Sequence, residues 1–169
     1  MILAFDTFYF DSKARTVCIS FINWEDDFFN FSFEILDEIE EYKSGEFYKR
    51  ELPCILSLLE KIEIQNLEAI IIDGYVYLND ELQLGLGGRL FQSLSKKVPV
   101  IGVAKSNFAS IVKNRKELCR GKSSKPLYIT SVGIDLEYAT ECIKKMKGEY
   151  RIPTLLKKLD NLTRDKSLK

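Results

Sequence analysis

Apolar and polar positions in the first third of the chain follow the pattern of β-strands. Three runs rich in aromatic and β-branched residues, 1–10, 15–22 and 27–36, are separated only by short polar links. Runs of this length and spacing are typical of successive strands joined by tight connections. The sequence therefore predicts an antiparallel meander of three strands at the start of the fold.

After residue 36 the pattern changes to an alternation of helices and strands. Residues 37–52 are charged and poorly periodic, which favours a linker. The remaining predicted elements are a helix that begins at Pro53, a buried strand at 69–72, a helix within 81–97, a buried strand at 98–105, a short helix or turn with a basic loop within 107–126, a strand at 127–134, a helix at 135–148 capped by Asp135 and a helix within 152–169. This order predicts an α/β domain with a mixed central sheet, three antiparallel strands followed by parallel strands, flanked by helices. The pattern is compatible with a ribonuclease H-like fold.

Composition limits the class of protein. The chain has 169 residues, of which 46% are hydrophobic, so we expect one globular domain over residues 1–169. Lysine plus arginine and aspartate plus glutamate both number 25, so the overall charge gives no steering toward nucleic acid, although a local basic patch could. The four cysteines show no CxxC spacing, no leader or long apolar run is present, and we expect a cytoplasmic monomer with reduced thiols and no membrane contact.

The chain contains no histidine. This excludes Ser-His and Cys-His nucleophilic triads, histidine general-base chemistry and zinc sites built on imidazole. If the protein is an enzyme, carboxylates, lysines and tyrosines carry its chemistry.

Asp6 and Asp73 each end the apolar run of a predicted strand. If those strands are neighbours in a mixed sheet, the two carboxylates meet at one edge, and Glu60 lies near the end of the helix predicted from Pro53. Carboxylate oxygens are the ligands that Mg²⁺ or Mn²⁺ requires, and such a site suits phosphodiester hydrolysis. Each residue also has a simpler interpretation, because aspartates commonly cap strands and turns and a helix glutamate is commonly solvated. Asp6 is the strongest candidate, since an apolar stretch buries a lone carboxylate only at a high cost.

Basic residues could complete such a site. Lys105 follows its predicted strand as Asp73 follows its own, so its ammonium could hold a phosphate beside the metal, or simply be exposed at a strand end. The basic loop could contact a phosphate backbone or remain solvated. Its residues are Lys113, Arg115, Lys116, Arg120, Lys122 and Lys125.

Four segments resemble the endonuclease V family in their order and spacing. They are IIIDGYV, VPVIGVAKS, YITSVG and MKGEYRIP, and the resemblance extends from Asp6 to about Arg164. Members of this family are metal-dependent nucleases that act at deaminated purine (inosine) sites in nucleic acid. The resemblance implies a ribonuclease H-like fold, a Mg²⁺ or Mn²⁺ cofactor, a DNA or RNA partner and a role such as DNA repair.

The resemblance also implies roles for individual residues. Asp6 falls on the family's first-strand aspartate, Asp73 on the aspartate of its DGxG turn and Lys105 on the lysine of GxAK. Glu60 fits the glutamate of the pattern P-G-x-L-x-x-x-E, which is similar to PCILSLLE, and Asp160 falls on an acidic position that follows R-x-P. The implied metal ligands are Asp6, Glu60 and Asp73, the implied catalytic residues are these three with Lys105, and the implied substrate-binding positions are Gly74, Tyr75, Lys105 and Ser106.

The chain departs from the family where substrate is recognised. In this register Glu51 stands in place of the tyrosine of P-Y-x-P-G, which wedges at the displaced base, and a carboxylate cannot stack on a base. Val76 replaces the second glycine of DGxG, residues 78–80 replace a histidine-proline pair, and Ile134 replaces a histidine near the last strand. Asp135 could supply an oxygen ligand there, although a helix cap is the simpler interpretation.

Three hypotheses follow. The protein is an endonuclease of the endonuclease V type, a divergent nuclease of the same fold with another substrate, or a non-catalytic relative that binds nucleic acid or a protein.

Overall fold

A seven-stranded mixed sheet forms the centre of the structure. The structure is a computed structural model that describes residues 1–37, 47–63, 66–108 and 110–169. The strands are β1 (Ile2–Phe10), β2 (Lys13–Phe21), β3 (Asn30–Leu36), β4 (Ala69–Asp73), β5 (Val100–Ala104), β6 (Lys116–Leu118) and β7 (Leu127–Val132). Their spatial order is β3-β2-β1-β4-β5-β7-β6.

Four helices cover the two faces of this sheet. They are α1 (Phe47–Glu60), α2 (Leu86–Ser93), α3 (Leu136–Lys145) and α4 (Thr154–Thr163). Because side chains alternate along a strand, Leu3 and Phe5 of β1 pack into the core under α1 and α2, while Ile2 and Ala4 pack into the core under α3 and α4. No helix in the described part of the chain is both long and apolar enough to cross a bilayer.

The strand pairing confirms the predicted α/β class. β1, β2 and β3 form the antiparallel meander, and β4 and β5 then add parallel to β1 on its other side. β5 pairs antiparallel with β7, which pairs with the short β6. Phe5 of β1 lies beside Ile72 of β4, so the two strands that carry Asp6 and Asp73 are direct neighbours, as the sequence predicts.

The first helix differs from the prediction. It begins at Phe47, so the linker interpretation is wrong for residues 47–52, while residues 38–46 of that predicted linker lie outside the described residues. Pro53 lies inside the helix and not in its first turn. The buried positions 51, 54, 55 and 58 do follow helical spacing, but the first of them is Glu51, a charged residue, which hides the apolar pattern. The strand β6 within the predicted basic loop was missed because three residues are too few to show a period.

Candidate active site

The sheet brings Asp6, Asp73 and Lys105 to one edge. Asp6 follows Phe5 on β1, Asp73 ends β4 beside Val103, and Lys105 comes directly after β5. Alternation from Ala4, Ile71 and Val103, which all pack under α3 and α4, places the three charged side chains on that same face. The three strands are parallel and adjacent, so their carboxyl ends meet and the predicted convergence of these residues is present.

A small cleft of about 30 Å³ lies at this edge. Asp6, Asp73 and Lys105 line it from the sheet, and Asp160 lines it from α4, over a floor of aliphatic side chains from β4, β5 and α4. The volume has room for a water molecule or an ion but not for a base. Asp160, which only the family resemblance suggested from the sequence, is therefore part of the same charged cluster.

Lys105 and Asp73 form an ion pair. The Lys105 Nζ atom lies 2.8 Å from Asp73 Oδ2, and both side chains are partly exposed. Burial alone would lower the pKa of Lys105, but the charge of Asp73 and the hydrogen bond to it outweigh burial and raise that pKa above its ordinary value. The ammonium is therefore held charged in the cleft, and Arg151 fixes the chain at this point by donating to the Lys105 carbonyl.

Asp6 is the most perturbed carboxylate of the cleft. Burial, followed by repulsion from Asp73, raises its pKa from 3.8 to about 6, although Lys105 and the Thr7 N–H oppose the shift. The Thr7 N–H donates to Asp6 Oδ1 at 2.9 Å, and the Thr163 hydroxyl of α4 lies 3.5 Å from Oδ2. Repulsion between close carboxylates is relieved by a cation, which is the electrostatic condition of a metal site.

Two glycines make the turn after Asp73 possible, Gly74 within the turn and Gly102 on the neighbouring strand β5. Gly74 has a φ of +134°, a conformation that side-chain-bearing residues rarely adopt. The turn then crosses β5 at Gly102, where an added Cβ would lie 2.5 Å from the Gly74 carbonyl oxygen. The Val76 N–H ends the turn by donating to the Thr130 hydroxyl at 2.9 Å.

Glu60 does not join this cleft, and the prediction that it converges with Asp6 and Asp73 is wrong. Glu60 is exposed at the last residue of α1 and lines a surface groove with Asn66 and Leu67, which lie before the start of β4. Asp73 stands at the opposite end of that strand. The helix axis explains the separation, because residues 51 and 60 are about 13.5 Å apart along a helix that rises 1.5 Å per residue.

Glu51 is the carboxylate of α1 that interacts electrostatically with Asp6 and Asp73, although it does not line the cleft. Its side chain is only 2% exposed, and its Oε2 atom has no hydrogen-bond partner in the described residues. Burial, followed by the charges of Asp6 and Asp73, raises its pKa well above the usual range. From the sequence, Glu51 was identified only as the residue at the family's wedge-tyrosine position, and its burial was missed.

The burial of Glu51 allows a second alignment to the family motif, which we call the corrected motif register. If the helix glutamate is Glu51 instead of Glu60, the whole motif moves by nine residues toward the amino terminus. The wedge-tyrosine position, first assigned to Glu51, then falls on Tyr42, with Gly45 in the place of the motif's glycine. Both residues lie outside the described residues, so the correction rests on the sequence register alone.

Val76 and Ile134, two further departures from the family pattern, both lie away from the cleft. Val76 is fully buried and packs against Gly87 of α2, so it does not line the cleft. Ile134 follows β7, whose last residue Val132 pairs with Val100 at the start of β5, and therefore lies at the edge of the sheet opposite Lys105. The alternative in which Asp135 supplies an oxygen ligand at the metal site is therefore wrong, and the simpler interpretation as a helix cap is confirmed. Asp135 instead caps α3 by accepting a hydrogen bond from the Tyr138 N–H.

The loops beside the cleft are tied together by Tyr75. Its hydroxyl donates to the Ser106 carbonyl oxygen at 2.7 Å and accepts from the Phe108 N–H at 3.1 Å. Its ring also contacts the Phe108 ring, with the ring centroids 5.9 Å apart. Asp80, where the family has histidine-proline, accepts from the N–H groups of residues 112–114. These contacts hold the turn after β4 against the loop after β5.

Much of the predicted basic loop serves the fold. Arg120 is buried and donates to the carbonyl oxygens of Met146 and Tyr150. Arg115 pairs with Glu117, and Lys116 pairs with Glu137. A phosphate-binding role for the whole loop therefore has less support than the sequence suggested.

Within the described residues, no three acidic or cysteine side chains stand close enough together to enclose a metal ion by themselves. Asp6 and Asp73 provide two carboxylates, and Mg²⁺ is commonly held by one or two carboxylates with water and phosphate oxygens in the other positions. The donor set thus fits a hard divalent cation.

No protein-family model and no curated protein matches the chain. Solved structures of endonuclease V do match it over 96% of its length. The protein from Streptomyces avermitilis is 21% identical with a TM-score of 0.73 over 79% of that chain, and the catalytic domain of the human protein is 20% identical with a TM-score of 0.70 over 80%. The Ciona intestinalis protein, crystallised with a DNA that contains an inosine followed by a ribo-adenosine, is 18% identical with a TM-score of 0.74 over 84% of that chain. The chain therefore has the ribonuclease H-like fold of the endonuclease V structures, at low sequence identity.

Proposed function

We propose that the protein is a divalent-metal-dependent endonuclease that hydrolyses phosphodiester bonds in DNA or RNA at inosine sites. The observation that carries the proposal is the convergence of Asp6, Asp73 and Lys105 at the carboxyl edge of three adjacent parallel strands. The endonuclease V fold supports the same reaction class.

Asp6 and Asp73 would hold the metal, with Glu51 and Asp160 as further oxygen donors at its periphery. A bound Mg²⁺ or Mn²⁺ supplies positive charge against the negative charge that develops during phosphodiester hydrolysis and makes water more acidic. Lys105 provides a second positive charge. Its ammonium, held by Asp73, is placed to bind a nonbridging oxygen of the scissile phosphate and orient it in the cleft.

The corrected motif register supports inosine recognition. With Tyr42 at the wedge position, the chain retains an aromatic side chain that can stack on a base. Because Val76 packs in the core, its side chain does not narrow a pocket for a base beside the turn after Asp73. A nuclease with another substrate is the second candidate. It is favoured by Asp80, which stands in place of the family's histidine-proline pair and accepts hydrogen bonds from the loop after β5.

The deciding experiment compares labelled single- and double-stranded DNA and RNA with and without one inosine, in the presence of Mg²⁺, Mn²⁺ or EDTA. We expect metal-dependent nicking that requires inosine. Cutting that ignores inosine would favour the second candidate. Absence of cutting, together with absence of Mn²⁺ binding in calorimetry, would reject both enzymes and leave a non-catalytic binding protein.

Glu51→Gln and Glu60→Gln form a matched pair that tests which glutamate of α1 serves the site. We expect Glu51→Gln to lower the cleavage rate by about 10- to 100-fold, the range found when supporting groups of metal sites are changed. Glu60→Gln is expected to cut like the wild type, because its side chain is exposed at the far end of the helix. Equal effects of the two changes, measured in single-turnover assays, would contradict this assignment.

Tyr42→Ala tests the corrected register. We expect it to weaken discrimination in favour of inosine substrates by about tenfold, as for the loss of one base-stacking contact. Tyr42→Phe keeps the ring and is expected to retain discrimination. The measurement is the ratio of cleavage rates for matched oligonucleotides with and without inosine. An unchanged ratio in Tyr42→Ala would show that Tyr42 is not the residue that stacks on the base.

A further inference from the structure

A second surface feature begins where β1 passes the candidate active site. Asp6, Phe8 and Phe10 alternate onto the same face of β1, so the two rings continue outward from the cleft. They form one wall of an open groove of about 970 Å³. We call the groove and its side chains the Phe8–Phe10 ledge.

Planar groups are aligned along this ledge. The rings of Phe8 and Phe10 are nearly parallel, with an interplanar angle of 15° and centroids 6.1 Å apart. The guanidinium carbon of Arg164 lies 4.7 Å from the Phe8 ring centroid, and that of Arg15 lies 4.8 Å from the Phe10 centroid. Arg15 is itself buried and fixed by donating to the Thr163 and Leu168 carbonyl oxygens. The row is therefore held in place before any ligand binds.

The charge of the ledge is predominantly positive. Among the described residues, its lining contains five basic side chains, Lys13, Arg15, Arg164, Lys166 and Lys169, and two acidic ones, Asp11 and Asp37. Lys13 pairs with Asp37 at 2.8 Å. Lys166 and Lys169 are exposed and line the same groove as the two rings.

The ledge is continuous with the cleft through α4. Asp160 lines the cleft, and its Oδ1 atom accepts from Arg164 Nε at 3.3 Å. One guanidinium thus contacts both a carboxylate of the candidate site and the first ring of the ledge. A strand whose scissile phosphate lies in the cleft would reach the ledge within the next nucleotides.

We propose that the Phe8–Phe10 ledge binds the single-stranded nucleic acid that flanks the cleaved bond, with unpaired bases stacked on its planar side chains and phosphates held by Lys166 and Lys169. The position of the scissile phosphate in the cleft, and therefore the path of the strand onto the ledge, rests on the proposed function. Rings and guanidinium planes beside exposed lysines are the combination that binds unpaired bases without reading their sequence. A duplex hides the base faces that such a row would contact, so the ledge favours single strands.

Binding is measured by fluorescence anisotropy of short labelled single-stranded DNA and RNA in EDTA, where no metal-dependent cleavage occurs. We expect Phe8→Leu, which keeps an apolar side chain but removes the ring, to weaken binding of both single strands by about tenfold. Its affinity for polyphosphate, which has no bases, is expected to stay at the wild-type value. Tyr138→Leu removes an exposed ring on α3, away from the ledge, and is expected to bind like the wild type.

A second variant does not depend on the packing of a partly buried ring. Lys166→Gln is expected to reduce the slope of log affinity against log salt concentration by about 0.7, the value for one lost phosphate contact on a single strand. Lys145→Gln, on the exposed part of α3, serves as the matched control and is expected to leave the slope unchanged.

Wild-type affinities in both Phe8→Leu and Lys166→Gln would overturn the ledge, even if the protein cuts inosine substrates as proposed. Equal weakening of polyphosphate and oligonucleotide binding in Phe8→Leu would also overturn it, since stacking would then have no part. Weaker oligonucleotide binding in Phe8→Leu, together with a reduced salt slope in Lys166→Gln, would support the ledge even if the wild type fails to cut any substrate.

Discussion

Asparagine in place of Asp73 will reduce the rate of phosphodiester cleavage by at least about a hundredfold, because even the outer groups of metal sites cost up to that factor. The substitution removes a charge that both holds Lys105 and faces Asp6. It preserves the shape of the side chain at the end of β4, so the turn through Gly74 should remain intact. The measurement is single-turnover cleavage of an inosine-containing strand in Mn²⁺, with circular dichroism to verify the fold.

Asp135→Asn is the matched control for this substitution. Asp135 also follows a strand and is also an aspartate, but it lies at the opposite edge of the sheet and caps α3. Because asparagine caps helices as well as aspartate does, this variant is expected to fold and cut like the wild type. If Asp73→Asn cut at the wild-type rate, the cleft would not be the active site.

Asparagine in place of Asp6 will stabilise the metal-free protein above the pKa of the native carboxyl. The Asp6 pKa is about 6 in the folded protein against 3.8 for the ordinary group, so ionisation is disfavoured by folding. This difference in pKa lowers the free energy of unfolding of the wild type by about 2–3 kcal/mol, at about 1.36 kcal/mol for each pKa unit. For a protein of this size we expect the melting temperature in EDTA to rise by about 5–10 °C.

The pH dependence of that gain identifies its origin. Below pH 3.8 the carboxyl is protonated in both folded and unfolded protein, so Asp6→Asn has no electrostatic advantage there. The destabilisation of the wild type grows as pH rises from 3.8 to about 6 and is constant above that range. A gain that is independent of pH would mean that packing, and not charge, causes it.

A divalent metal ion should reverse the order of the melting temperatures of the wild type and Asp6→Asn. A divalent cation that binds the folded protein stabilises it according to its concentration and affinity. Mg²⁺ or Mn²⁺ is therefore expected to raise the melting temperature of the wild type and to have little effect on Asp6→Asn. This readout tests metal binding without any measurement of activity.

The sequence predicts most of the sheet and the part of the site that lies on it. Asp6, Asp73 and Lys105 could be found because each follows an apolar run, and strand ends are visible as breaks in such runs. Parallel pairing of neighbouring strands then brings those ends together without information from side-chain packing.

The helix that completes the site could not be predicted in the same way. Glu51 occupies a core-facing position of α1, so the carboxylate that we propose for the site also breaks the apolar pattern that would reveal the helix. The apolar residues after Pro53 predicted a helix that begins too late in the chain. The glutamate of the family motif was therefore assigned to Glu60. Asp160 shows the opposite case, since its charged surroundings on α4 resemble an ordinary solvated surface, and only its contacts distinguish it.

The contacts of α4 also determine when the site can form during synthesis. Asp6 lies near the Thr163 hydroxyl, and Arg15 donates to the Thr163 carbonyl oxygen, so the first strands and the last helix close the cleft together. On the ribosome, Asp6, Glu51 and Asp73 emerge well before Asp160. A nascent chain would therefore carry most of the charged groups while lacking one wall of the cleft and the ledge beside it. Full activity would then be expected only once α4 has emerged and packed against β1 and β2.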